Sequence, residues 1–102
     1  EFAQGFAARV LKEGGSDDAG RLRFAVKAAL SRSPSNVELD RLSAYLATTR
    51  AAFTADPESA AKAAGSTPVT APLRGETPAP EFAAWTAVTR VILNLDEFIS
   101  RE

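Results

Sequence analysis

The sequence contains no cysteine, no histidine and no methionine, and only one tryptophan and one tyrosine. Without cysteine there are no disulfides, thiolate zinc sites or thiol nucleophiles, and the gap says little about compartment. Without histidine the chain lacks the commonest general base and the commonest ligand for transition metals and haem. No run of eighteen apolar residues occurs, so no membrane-inserting segment is expected. The stretch Glu1 to Glu13 has neither a basic start nor a continuous apolar core, so it is not read as a signal peptide. Opening on Glu1 rather than methionine, the chain is expected to be an excised part of a longer protein.

Charge is equally unremarkable. Twelve Lys and Arg against thirteen Asp and Glu leave a formal net charge of −1. Nucleic-acid binding rests on neutralising many phosphates, and here the basic residues Arg9, Lys27, Arg50, Arg74 and Arg90 are scattered. No nucleic-acid partner is expected.

What is present is the material of one helical domain. The 102 residues are 45% hydrophobic and 25% charged, and a chain of this length buries roughly two-thirds of its unfolded surface. Much of the apolar share is alanine, a strong helix former that buries little area. A first helix is expected from about Phe2 to Glu13, where Phe2, Phe6 and Val10 stand at four-residue steps beside Ala3, Ala7 and Leu11. Gly14 and Gly15 end it. Ser16 is read as the next N-cap, with Asp17 and Asp18 in the first turn, where the helix dipole favours negative charge. The second helix presents Leu22, Val26, Ala29 and Leu30 and stops near Ser31.

Pro34 blocks continuation and biases Ser33 away from helical angles. Ser35 with Glu38 forms a capping box for a third helix, whose stripe is Leu39, Leu42, Leu46, Thr49 and Phe53, with Tyr45 at its edge. Asp56 and Pro57 restart a short helix that ends at Gly65. From Ser66 to Pro80, Pro68, Pro72, Pro78 and Pro80 point to a long extended loop. The last helix, Glu81 to about Ser100, carries Trp85, Val88, Ile92, Leu95 and Ile99 on a face widened by Ala84, Val91 and Phe98. Thr86, Arg90, Asn94, Glu97 and Arg101 form its polar stripe. The expected fold is therefore all-α, a bundle of four to five helices with this apolar C-terminal helix at its centre.

Each motif that could carry chemistry has a simpler structural reading. The turn around Ser31 to Val37 resembles a DNA-binding helix–turn–helix, but the third helix opens on Asn36, Glu38 and Asp40, so an αα-hairpin is preferred. Asp96 and Glu97 are neighbours on a helix and diverge by about 100°, and Glu97 stands one turn before Arg101. Ser35 has no histidine partner, and capping accounts for it. The proline-rich loop contains no Pro-x-x-Pro ligand, and the place of Trp85 on the apolar face favours core packing over ligand stacking. No catalytic, cofactor-binding or metal-ligating residue is assigned, and no cofactor is expected. Phe24, Phe82 and Leu93 fit the core stripes poorly. They are candidates for a docking face, with at least one expected to be substantially exposed.

The run from Trp85 to Phe98 (Trp-Thr-Ala-Val-Thr-Arg-Val-Ile-Leu-Asn-Leu-Asp-Glu-Phe), continued by Ile99-Ser100-Arg101-Glu102, resembles the C-terminal end of the planctomycete PSD-one family. Arg21 to Glu38, with its Leu-Ser-Arg-Ser-Pro-Ser-Asn-Val-Glu turn, is similar to the helical hairpin that precedes that end. The likeness covers most of the chain outside Thr54 to Glu81. It implies a large, exported bacterial parent protein, often with a cytochrome c-like domain upstream. No haem motif lies in this segment, and the family supplies no catalytic residue to carry over. The resulting expectation is a non-catalytic accessory or scaffolding domain whose partners are other domains of its parent. The alternative is a module binding a protein or a polysaccharide-related partner through the loop Ser66 to Pro80. Third comes a hydrolase fragment completed by residues of another domain.

Overall fold

The computed structural model describes residues 2–64 and 77–100, with side chains from 3–63 and 77–95, and these described residues form five α-helices. They are α1 (Phe2–Glu13), α2 (Asp18–Leu30), α3 (Asn36–Ala55), α4 (Pro57–Ala64) and α5 (Ala79–Ser100), and the described residues contain no strand. The all-helical class expected from the sequence is what the chain adopts.

The helix ends follow from local chemistry. Asp17, not Ser16, caps α2: its backbone is extended and its Oδ1 accepts from the Gly20 amide at 3.2 Å. A carboxylate in this position both accepts the hydrogen bond and places its charge against the positive helix end. At the other end Ser31 takes a left-handed φ of 59° and donates its N–H to the Lys27 carbonyl. The Ser35–Glu38 capping box forms as expected. Ser35 Oγ accepts from the Glu38 amide at 3.1 Å, and Glu38 Oε1 accepts from the Ser35 amide at 2.9 Å. Arg32 donates to both Glu38 oxygens at 2.7 Å, bracing the hairpin.

Asp56 serves two helices. Its N–H closes α3 on the carbonyls of Ala52 and Phe53, while its carboxylate accepts from the amide and hydroxyl of Ser59 in α4. Pro57 occupies the first helical position, where a missing N–H costs nothing. The start of α5 differs from expectation. The helix begins at Ala79 rather than Glu81, with Phe82 donating to the Pro78 carbonyl at 3.0 Å. Pro80 is tolerated because first-turn amides have no intrahelical acceptor. The remainder of the proline-rich segment, residues 65–76, lies outside the described residues.

The core is assembled around the N-terminal half of α5, which packs against all four other helices. Phe82, Ala83, Ala84, Trp85, Val88 and Ile92 are buried there, together with Ala3, Phe6, Ala7 and Val10 of α1, Leu22 and Val26 of α2, and Leu42 and Leu46 of α3. One expectation fails in this region. Thr86, assigned to a polar stripe, is wholly buried, as is Thr89. With neighbours on four sides this part of the helix has no wet face. Each hydroxyl is satisfied from the backbone: Thr86 donates to the Phe82 carbonyl at 2.8 Å, and Thr89 Oγ1 lies 2.9 Å from the Thr86 carbonyl and 3.2 Å from that of Ala3. Arg90 and Asn94 are exposed as expected.

Candidate functional site

An arginine joined to two carboxylates lies where the starts of α2 and α5 meet the C-terminal half of α3. Arg50 donates from Nε to Glu81 Oε1 and from Nη2 to Glu81 Oε2, both at 2.7 Å. It also donates from Nη1 and Nη2 to the two Asp18 oxygens at 3.0 Å. The Trp85 indole donates to Glu81 Oε2 at 2.9 Å. The hydrogen bonds from Arg50 hold the Asp18 carboxyl below its ordinary range, and the two carboxylates raise Arg50. The planar guanidinium thus fastens α2, α3 and α5 to one another through paired, charge-assisted hydrogen bonds.

A groove of about 340 Å³ opens between α1, α2 and α5, lined by Gly5, Phe6, Arg9, Ala28, Ala29 and Leu93. Arg9 supplies its one charged group. The Arg9 guanidinium carbon stands 5.5 Å from the centre of the Phe24 ring, and Nε is 3.6 Å from Glu13 Oε2. Of the three residues expected on a docking face, Leu93 lines this groove half-buried and Phe24 lies half-buried under Arg9. Phe82 does not belong with them. It is wholly buried in the core, because α5 is enclosed where a helical projection put a free flank. The expectation that one of the three is substantially exposed is not met.

The large apolar residues that do face water are on α3: Val37 is 59% exposed and Tyr45 41%. Ala44, Ala51, Ala52 and Ala55 are exposed on the same outer side, opposite the buried Leu42 and Leu46. Arg41 and Thr48 are exposed on that side too, so the outer side of α3 is mixed, with Val37 and Tyr45 its large apolar members. Trp85, with its ring enclosed, is a core residue.

Asp96 and Glu97 fall outside the described side chains, and most of the Ser66–Pro80 loop falls outside the described residues. Among the described residues, no three of His, Cys, Asp and Glu come together to hold a metal ion. No described helix is long and apolar enough to cross a membrane. The junction at Arg50 has no local sequence signature, since its partners stand 31 and 32 residues away. Comparison with protein-family models, curated proteins and solved structures finds no match to this chain.

Proposed function

We propose that the chain is a non-catalytic helical accessory domain of a larger exported bacterial protein, and that it packs against other domains of its parent. The resemblance to the planctomycete PSD-one C-terminal region motivates the cellular setting. The observation that carries the reading is the outer side of α3, where Val37 and Tyr45 stand exposed among alanines. Exposed aliphatic and aromatic side chains interspersed with Arg41 and Thr48, with the chain's own core on the opposite side, suit the mixed contact that domains make with each other. The test is association between this chain and the remainder of its parent, followed by calorimetry and co-elution. Binding is expected, and the double variant Val37→Asp/Tyr45→Glu should abolish it while leaving the unfolding midpoint within error. Absence of association for the unmodified chain would refute the reading.

A second reading, a binding module, is favoured by a different observation. The groove between α1, α2 and α5 is concave and apolar, with a single guanidinium at its rim. Of the loop Ser66 to Pro80 only Thr77 to Pro80 lie among the described residues, and these four do not line the groove.

A further inference from the structure

We infer that the groove between α1, α2 and α5 binds an amphiphilic monocarboxylate of about ten carbons, its tail over Gly5, Ala28, Ala29 and Leu93 and its carboxylate on Arg9. This rests on the binding-module reading and gives that site a ligand class.

Three independent features converge. The first is Gly5, at the end of the first turn of α1. A Cβ built there meets nothing within 4 Å, so the chain's own packing does not call for glycine. A helix-interior glycine nonetheless destabilises a helix relative to alanine. Its effect is to let a guest lie against the α1 backbone, opposite the equally short side chains of Ala28 and Ala29.

The second is size. A dry apolar cavity of about 150 Å³ accepts benzene, so a groove of about 340 Å³ suits about a dozen heavy atoms. Decanoate has ten carbons and two oxygens. The third is charge. Arg9 is the one charged residue among the described lining, and its guanidinium rests against the face of the neighbouring Phe24. Its pairing with Glu13 is loose, at 3.6 Å with both side chains more than half exposed. A carboxylate lying along the groove can take over the guanidinium's donors in a paired geometry that Glu13 does not achieve.

The test is a titration of the isotope-labelled chain with decanoate, decyltrimethylammonium and decanol, each below its aggregation concentration, followed by amide chemical shifts. Decanoate should give saturable shifts at Gly5, Arg9, Ala28, Ala29 and Leu93, with the cation and the alcohol at least roughly tenfold weaker. Arg9→Gln should weaken decanoate by roughly tenfold, and Glu13→Gln should tighten it by removing the competing carboxylate. Gly5→Leu, whose side chain enters open space, should block binding while the unfolding midpoint is kept or raised. Equal binding of all three amphiphiles, or undiminished binding to the Gly5→Leu chain, would overturn the proposal. Saturable shifts from decyltrimethylammonium alone would sink the carboxylate assignment and leave the binding-module reading standing. Silence from all three would sink both.

Discussion

Arg50 and Trp85 meet on one carboxylate oxygen: Glu81 Oε2 accepts from Arg50 Nη2 at 2.7 Å and from the indole N–H at 2.9 Å. The core's largest side chain and the inter-helix ion pairs are therefore parts of one construction. Arg50→Ala leaves Asp18 and Glu81 facing each other without the cation between them. A fully buried pair broken this way costs about 3–5 kcal/mol. Because 33% of the Arg50 side chain and 45% of that of Asp18 face water, a loss of about 1–3 kcal/mol is expected. Arg50→Lys should recover less than half of it, since an ammonium cannot serve two carboxylates as a planar fork does. Urea denaturation measures both, and a lysine variant equal to the parent chain would show that the fork geometry is irrelevant.

Acid should weaken the fold through three carboxyls, one of them Asp56, which its hydrogen bonds from Ser59 hold below the usual range. The Arg32 hydrogen bonds, then the Ser35 amide, lower Glu38 from 4.5 to about 2, and Arg50 lowers Asp18. A carboxyl whose pKa is lower folded than unfolded contributes stability that is complete above its unfolded value and is lost as pH falls towards its folded value. For Glu38 the decline should run from about pH 4.5 down to about 2. Denaturation midpoints across that window should fall less steeply for Glu38→Gln than for the parent chain. A carboxyl resonance of Glu38 titrating near 4.5 would remove the basis for this expectation.

Trp85→Ala should cost about 3–5 kcal/mol, from lost burial and the cavity left behind. Trp85→Phe keeps most of the apolar volume but withdraws a donor from Glu81, so its loss should be smaller. The parent chain should emit at short wavelength and shift to the red on unfolding, because the indole is wholly buried. Emission already at the water-exposed position in the native chain would contradict the packing described here.

Two glycines should respond in opposite directions to the same substitution. Gly5→Ala adds a methyl in open space on a helix, so it should stabilise by about 0.5–1 kcal/mol. Gly15 holds φ at 96°, a region L-residues rarely adopt, so Gly15→Ala should destabilise by about 1 kcal/mol. Thermal and urea midpoints of the two variants, measured side by side, test the contrast.

Which of these features could be read from the sequence depends on how local their causes are. The Ser35–Glu38 box, the Asp56–Pro57 restart and the stripe Leu42–Leu46 all rest on neighbours within one or two turns, and each was legible. The choice of Asp17 over Ser16 as a cap depends on which side chain faces the first free amides, a matter of one backbone rotation. Thr86 and Phe82 were misplaced because a helical projection assumes one wet side, whereas α5 packs against four other helices. The Arg50 junction and the groove beside Arg9 were invisible for another reason. Each draws residues from three helices, and the spacing between those residues carries no period.

The hydroxyl of Thr89 lies 3.2 Å from the carbonyl of Ala3, and the amide of Gln4 reaches Ala63, so the opening helix is held by residues 86 and 59 positions further along. A polypeptide made from its amino end thus completes α1 well before α4 and α5, the partners that supply these two hydrogen bonds. Until the ribosome has released α5, the apolar side of α1 has no permanent seat, and a nascent chain stalled before residue 77 should carry that helix undocked and open to chaperones or proteases.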